Sequence, residues 1–504
     1  ILTGHCIYNL YWHPLRHFPG PRWAAITHLP QIVSDLTGQS HRDNRQLHER
    51  YGSIVRIAPN TLSICAVQGW EDIYGYPTRK KPELINDPQF FATPPNGYHS
   101  ISSSNHADHT RHRRVLARGF SSKALEQQLA CVASTTDLLI NRMRSHVDQS
   151  QDRIDLNRWY SLTAFDILGR LLFGEPFGCV QGDRPHPLLR ALGPSLKRRL
   201  IDMAATSQFP LPPWLLQWLT RQLRLPVSAN AEIPAASYRG PDSRPALLTA
   251  RLQRKDPTTP QDFIAVMQEY GIKVNKLEHG ELESNTDAFL LAGSETTATA
   301  LSACTYYILT HQAVYARLVE VVRHTYRTEN EITVASSILK GGPPYLQAVV
   351  SETLRLFPAI PVGLPRVVPA EGSQICGTFV PGGTTVSMAQ WSIHRSHHYF
   401  PDPDRFSPER WLHAAPGSDT AATRTEKNDN DNNVAACKAF SFGPRDCIGK
   451  TLALAEIAHV LCRVLWNFDL ELCEESREWD EQRVFLLWER KPLMVKIRQR
   501  GDIE

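Results

Sequence analysis

One stretch near the C-terminus, FSFGPRDCIG at Phe440–Gly449, constrains this chain more than any other. It places a single cysteine, Cys447, between turn residues and a segment whose apolar residues recur at helical spacing. Cys447 is therefore predicted at the start of a long buried helix. Helix N-termini favour negative charge and lower the pKa of a thiol, so this position suits a thiolate. The alternative is a buried structural cysteine that follows a glycine turn.

The residues around Cys447 also indicate a flat partner that carries acidic groups. Gly443 allows a tight turn, and Gly449 lets the backbone come close to a planar group. Arg445, two residues before the cysteine, offers a cation to acidic groups on that partner. These residue types favour a bound group over a purely structural turn.

The cysteine usage and the charge exclude several function classes. The 504 residues include 10 cysteines, but no CxxC pair and no cluster with zinc-ligand spacing, so neither a disulfide framework nor a zinc site is predicted. Such cysteine usage is typical of a chain in, or facing, a reducing compartment. The net charge of +4 gives no reason to expect nucleic acid as a partner.

Two segments bear on membrane contact. No uninterrupted apolar run reaches about 18 residues, so the sequence as given predicts no transmembrane helix. It begins within an apolar, aromatic stretch without an initiator methionine, so a missing upstream segment is expected. The Pro-, Trp- and Leu-rich segment at residues 206–220 is interpreted either as loops that cover the core or as an exposed apolar surface.

Periodicity predicts a mostly helical chain with small sheets and no convincing break into domains. β-branched residues alternate in SIVRIAP and TLSICAV, which predicts a pair of strands. Helices are predicted over residues 282–311 and 345–357, followed by a β region over 358–385. The segment at about 413–438 contains a polar, low-complexity stretch and is predicted to be a flexible surface insertion.

Two further motifs precede the cysteine. AGSETT at Ala292–Thr297 puts a glycine, an acid and hydroxyls inside the long apolar helix, where they lower helix propensity; a polar, water-bridged kink would explain this structurally. SETLR places Glu352 and Arg355 on one helical face, which alone is typical of a surface ion pair. FSPERW adds Arg410 after a proline turn.

In their order and spacing these motifs resemble the cytochrome P450 family, over about residues 10–495. The resemblance implies that Cys447 is the proximal ligand of a haem b iron. It places four further residues in the haem-binding loop: Phe440, Gly443, Arg445 and Gly449. An axial thiolate pushes electron density onto iron and favours O–O cleavage.

The resemblance gives the other motifs their roles. Glu295 and Thr296 would relay protons to dioxygen as a general-acid pair, and Gly293 would let dioxygen or substrate come close to the helix. Three residues would form a structural network rather than a catalytic one: Glu352, Arg355 and Arg410. Four basic side chains would be the partners of the haem propionates: His109, Arg113, Arg366 and Arg445.

The resemblance also implies the fold and the activity. The fold is expected to be mainly α with small β sheets, a single-domain triangular prism over residues 13–504 with haem between the long distal helix and the helix after Cys447. The activity is expected to be that of a haem-thiolate monooxygenase, which inserts one atom of O2 into an apolar small molecule by hydroxylation or epoxidation. Electrons would come from NADPH through a separate reductase, with cytochrome b5 as a second candidate donor.

The flanking segments WYSLTAFDILGRLLFGEPFG and PAIPVGLPR most resemble the membrane-bound filamentous-fungal branch that tailors secondary metabolites. In that branch a transmembrane helix precedes the catalytic domain, so the resemblance implies that residues 1–12 are the remnant that follows a missing N-terminal membrane anchor. It also implies that residues 206–220 are either packed core or a lip that dips into the membrane. A monomer on the cytosolic face of the endoplasmic reticulum is therefore expected.

Two alternatives stay open: an isomerase, dehydratase or peroxide-driven enzyme of the same fold, and a non-catalytic haem sensor. The acid–alcohol pair argues against both. The pocket is expected to draw on residues 91–105, 206–220, 289–296 and 360–364, which are apolar with some polar residues. A terpenoid, polyketide, alkaloid or fatty-acid-like substrate fits these segments equally well.

Overall fold

The computed structural model describes residues 2–78, 81–91, 93–94, 96–149, 152–206, 243–254, 262–273, 276–339, 342–412 and 433–501, together with residues 214, 218 and 222. Helices predominate within them and the strands form small sheets, so the prediction of a mainly α chain with small β sheets is confirmed. Most of the insertion predicted at about 413–438, and most of the segment at 206–220, lie outside the described residues.

The helices are named here in chain order. They are α1 (Leu2–Tyr11), α2 (Arg22–Ile26), α3 (Leu29–Thr37), α4 (Ser40–Tyr51), α5 (Gln68–Tyr74), α6 (His106–Leu116), α7 (Ser122–Asp148), α8 (Leu156–Phe173), α9 (Cys179–Gly182), α10 (Pro187–Thr206), α11 (Arg244–Gln253), α12 (Phe263–Met267), α13 (His279–Thr310), α14 (Gln312–Thr325), α15 (Pro344–Leu356), α16 (Gln390–His394) and α17 (Lys450–Asn467). Among the described residues, no helix is both long and apolar enough to cross a bilayer.

The strands are short and belong to four small sheets in the described part of the chain. They are β1 (Ile54–Ala58), β2 (Thr61–Ile64), β3 (Ile85–Asn86), β4 (Arg153–Asp155), β5 (Arg366–Val367), β6 (Ser373–Ile375), β7 (Thr378–Val380), β8 (Thr385–Met388), β9 (Phe468–Leu472), β10 (Val484–Phe485), β11 (Leu487–Trp488) and β12 (Met494–Gln499).

The largest sheet has the strand order β1-β2-β8-β5-β3. β1 and β2 pair antiparallel, with Ile54 opposite Ile64, which confirms the predicted strand pair. β8 runs parallel to β2 and antiparallel to β5. Arg366 is the first residue of β5 and therefore belongs to this sheet. A second sheet has the order β4-β12-β9, and two hairpins, β6-β7 and β10-β11, complete the set.

Helix α13 contributes many residues to the largest apolar core and is close to its predicted bounds. A capping box formed by Glu278 and Glu281 satisfies its first backbone N–H groups. Its C-terminal half is buried nearly all round, with Leu301, Cys304 and Ile308 at 0% exposure, because α8, α15 and α17 pack against different faces. Each fully buried aliphatic side chain of this kind contributes about 1.5–3 kcal/mol.

Helix α17 begins directly after the cysteine motif and packs against both α13 and α15. Leu452, Ile457 and Val464 lie in the same apolar core as α13. The two helices that carry the AGSETT and cysteine motifs are therefore neighbours. This packing brings motifs that are about 150 residues apart in sequence to one region of the fold.

Candidate functional site

The cysteine loop is shaped by one glycine whose conformation is required. Gly443 has φ +79°, and a Cβ atom there would lie 1.9 Å from the backbone oxygen of Tyr74, so a side chain is excluded both by conformation and by space. Gly443 is the first residue of the short turn Gly443–Arg445. After this turn, the backbone N–H of Cys447 donates to the backbone oxygen of Phe440 at 2.9 Å. The loop is thus closed on itself immediately before α17.

Cys447 is exposed, whereas the other nine cysteines are buried or partly buried. Desolvation by the surrounding protein nevertheless raises the pKa of its thiol, although the backbone N–H of Gly449 and the cations of Arg113 and Lys450 act in the opposite direction. Desolvation thus acts against the lowering of this pKa that a helix start favours. Cys447 is thus exposed to solvent and yet desolvated, as expected where protein encloses the sulfur on most sides and one side stays accessible. Binding to a metal ion deprotonates such a thiol.

Helix α15 and the short turn Pro408–Trp411 meet around one buried carboxylate. Glu352 accepts from Arg355 Nε and Nη2, both at 2.8 Å, and from Arg410 Nε at 3.1 Å. Glu352 and Arg355 have fully buried side chains. Trp411 Nε1 also donates to Glu352, at 2.9 Å. Sequence reasoning missed Trp411, although it directly follows Arg410 in FSPERW.

The same network reaches the cysteine loop. Arg355 Nη1 donates to the backbone oxygens of His394 and Pro403 at 2.8 and 2.6 Å. The ring of His394 in turn accepts from the backbone N–H of Lys438 at 3.3 Å. Lys438 lies two residues before Phe440, so a continuous chain of hydrogen bonds connects α15 to the start of the loop that presents Cys447.

Four basic side chains gather beside the cysteine loop, but they differ in what they contact. Arg113 donates to the Asp446 carboxylate and backbone oxygen, both at 2.5 Å. Arg445 donates from Nε to Glu83 at 2.5 Å and from Nη1 to the backbone oxygen of Ser104 at 3.0 Å. Both cations are therefore already paired with carboxylates of the chain.

The other two basic side chains, Arg366 and His109, differ from Arg113 and Arg445 in their contacts and in their pKa values. Arg366 is 4% exposed, lies over the rings of Tyr74 and Phe91, and forms no ion pair with any described carboxylate. Burial lowers its pKa to about 10, and the nearby Arg445 contributes in the same direction. Burial, assisted by Arg445 and Arg113, lowers the pKa of His109 to about 4, so His109 is neutral at physiological pH.

This donor set fits a ligand with carboxylate groups. A buried guanidinium without a counter-charge is unfavourable, because its desolvation is not repaid. Arg366 therefore calls for an anion, and the paired arginines retain further N–H groups. Haem b, with two propionates and an iron that a single thiolate can ligate, matches Arg366 together with Cys447.

The AGSETT motif turns its side chains in different directions on α13. The hydroxyl of Thr296 donates to the backbone oxygen of Ala292 at 2.5 Å, on a part of the helix where Ala292 is exposed. A Cβ atom on Gly293 would lie 2.9 Å from Leu168 Cδ1 of α8. This glycine therefore permits close packing of α13 on α8, and its expected role of making room for dioxygen or substrate stays a prediction.

Glu295 forms an ion pair that sequence reasoning did not predict. Its Oε2 lies 2.6 Å from Nη2 of Arg490, and Arg490 Nη1 donates to the hydroxyl of Ser161 at 3.1 Å. The side chains of Glu295 and Arg490 are 14% and 8% exposed. Arg490 follows β11, almost 200 residues further along the chain, and no spacing in the sequence indicates that it would meet α13.

Comparisons with known proteins agree with this geometry. The cytochrome P450 family model matches residues 18–497. Cytochrome P450 monooxygenase astJ of Aspergillus oryzae is 36% identical over 498 residues, covering 98% of this chain and 94% of the relative. Trichothecene C-15 hydroxylase of Fusarium sporotrichioides is 36% identical over 496 residues, covering 97% and 94%. Cytochrome P450 monooxygenase efuB of Hormonema carpetanum is also 36% identical.

The fold and the comparisons define a haem-dependent oxidoreductase with a single, mainly helical domain. It belongs to the cytochrome P450 family, and the expected monooxygenase activity is confirmed at the level of that class. Members of this family bind haem b, act on small molecules and typically receive electrons from NADPH through a reductase.

We expect Glu352→Gln to destabilise the fold strongly, because the neutral amide leaves the buried Arg355 without its counter-charge. Breaking one partner of a buried pair costs about 3–5 kcal/mol. The free energy of unfolding, measured by urea titration with circular dichroism, checks this.

Glu175→Gln is the matched control, since Glu175 pairs with Arg254 on the surface. Such exposed pairs contribute about 0.2–1 kcal/mol. If the free energy of unfolding falls equally in the two variants, the assignment of Glu352 as the centre of the network is contradicted.

Proposed function

We propose that this protein is a haem-thiolate monooxygenase of an apolar secondary metabolite, with Cys447 as the iron ligand. The observation that carries the proposal is an accessible cysteine, on a loop closed before α17, together with the buried Arg366, which forms no ion pair with a described carboxylate. When bound, haem supplies the oxygen-activating chemistry, which an axial thiolate favours.

The chain's own residues would hold the cofactor in distinct ways. Cys447 would ligate iron, while Gly443 and Gly449 keep side chains away from the turn and Phe440 anchors the Cys447 N–H. Four side chains would bind the propionates: Arg366, Arg445, Arg113 and His109. Arg366 would contribute the most charge because no described carboxylate neutralises it, and the neutral His109 would act only as a hydrogen-bond donor.

On helix α13, the Thr296 hydroxyl would hold a proton close to the reacting oxygen. Thr296 is half-buried next to the exposed Ala292, so its Oγ1 can be reached from outside the core. Glu295 would supply protons through water after its carboxylate leaves Arg490, since the ion pair holds it beside Ser161 of α8. Together they would form a general-acid pair.

We predict that Thr296→Ala and Glu295→Gln lower the yield of product per NADPH consumed by about tenfold or more, because proton delivery fails while electron uptake continues. The lost electrons would appear as hydrogen peroxide. The measurement is the ratio of peroxide to NADPH with a reconstituted reductase, using a ligand chosen by its effect on the haem spectrum.

Thr299→Ala provides the control on the same helix. Its hydroxyl donates to the backbone oxygen of Glu295 at 2.7 Å and the residue is 2% exposed, so it cannot reach a ligand. The role of Thr296 is refuted if both threonine variants couple NADPH to product as the unmodified protein does.

We further propose contact with the cytosolic face of the endoplasmic reticulum membrane. Aromatic side chains at the N-terminal end are unusually exposed, with Tyr11, Trp12 and Trp23 at 61–63%, and Trp214 and Trp218 are 69% and 52% exposed. Tryptophan and tyrosine favour the membrane–water interface, where one part of the ring system is apolar and the other hydrated. The protein would act there as a monomer beside its reductase, with cytochrome b5 as a second donor.

The double variant Trp12→Ser/Trp23→Ser should float less readily with phosphatidylcholine vesicles than the unmodified protein. The reason is the loss of apolar area at the interface, and the measurement is the bound fraction after density-gradient flotation. Tyr76→Ser is the control, because Tyr76 is equally exposed at 63% but lies in the segment after α5. Equal flotation of all three proteins would contradict the proposed contact surface.

A further inference from the structure

Glu83 lies between the cysteine loop and the start of α6. Its carboxylate accepts from Arg445 Nε at 2.5 Å through Oε1 and contacts His106 Nδ1 through Oε2. The side chains of Glu83 and Arg445 are only 13% and 10% exposed. Burial alone would raise the pKa of Glu83, but the hydrogen bond and charge of Arg445, with His106, hold it below its ordinary value. Glu83 is therefore an ionised carboxylate beside the loop that presents Cys447.

Arg445 is held on two sides by this segment of the chain. Glu83 accepts a hydrogen bond from Arg445 Nε, and the backbone oxygen of Ser104 accepts one from Arg445 Nη1 at 3.0 Å. The same oxygen accepts from Asn86 Nδ2 at 3.3 Å, which fixes the position of Ser104 relative to β3. A guanidinium has five N–H donors in a rigid plane, so two fixed contacts determine where its remaining donors point.

The charge of Glu83 acts on the other cations of the site as well. Its carboxylate works to raise the pKa values of His109 and of Arg366, whereas the cation of Arg445 lowers both. Glu83 thus offsets the mutual repulsion of three basic side chains. Asp446 forms its ion pair with Arg113 instead.

We propose that Glu83 is a positioning residue for the cofactor: it fixes the guanidinium of Arg445 so that its free edge meets the propionates, and its negative charge sets the reduction potential of the iron. This inference rests on the proposed function, in which Cys447 and Arg445 bind haem. Residues that orient a direct ligand contact commonly affect cofactor affinity. A nearby buried negative charge stabilises the ferric iron relative to the ferrous iron and so lowers the reduction potential.

The test compares Glu83→Gln, Glu83→Asp and the unmodified holoprotein. We expect Glu83→Gln to release haem to excess apomyoglobin about tenfold faster or more, as loss of a positioning contact does. Its midpoint potential, measured by spectroelectrochemical titration at fixed ionic strength, should shift to a more positive value. Glu83→Asp keeps the charge and should restore the potential.

Glu329→Gln is the matched control. Glu329 is also a partly buried carboxylate shared by two cations, Arg144 and Arg463, but it packs against the far end of α17. This variant should match the unmodified protein in both readouts. If Glu83→Gln takes up no haem while Glu83→Asp and Glu329→Gln do, the inference is supported in its strongest form.

Failure of the inference can be told apart from failure of the proposed function. A Glu83→Gln protein with the carbon monoxide spectrum of a thiolate-ligated haem, but with unchanged release rate or unchanged potential, overturns the role of Glu83 and leaves Cys447 as ligand. An unmodified protein that takes up no haem overturns both.

Discussion

The carboxylate of Glu352 sits between two guanidiniums and an indole, with no side-chain exposure of its own. Burying an ion is costly unless hydrogen bonds and an opposite charge replace its hydration, and this site supplies both. The arrangement ties α15 to the segment around Arg410 and, through His394 and Lys438, to the start of the cysteine loop. A buried charge network thus connects by hydrogen bonds to the start of the loop that presents Cys447.

Beside that loop, the distribution of charge decides what the site can bind. Arg113 and Arg445 already have carboxylate partners, Asp446 and Glu83, and so contribute mainly remaining hydrogen-bond donors. Arg366, between aromatic rings on β5, is the cation whose burial is not balanced by a described carboxylate. An anionic cofactor edge would therefore stabilise this region of the fold as well as complete the site.

Local patterns were sufficient to predict the helices that bracket the site, because α13 and α17 have long apolar periodicities and α15 carries two charges one turn apart. Contacts between distant segments could not be predicted this way. Arg490 reaches Glu295 and Glu83 reaches Arg445 only because tertiary packing brings them together. The effect of burial on the pKa of Cys447 could not be predicted for the same reason, since desolvation depends on neighbours that a local motif does not reveal.

The central claim is that Cys447 binds haem iron as a thiolate, and the optical spectrum of the dithionite-reduced protein under carbon monoxide tests it most directly. The account predicts a strongly red-shifted Soret band in the haem-loaded protein and its loss in Cys447→Ser. A band at the position typical of histidine-ligated haem in the unmodified protein, or no uptake of haem at all, would contradict it.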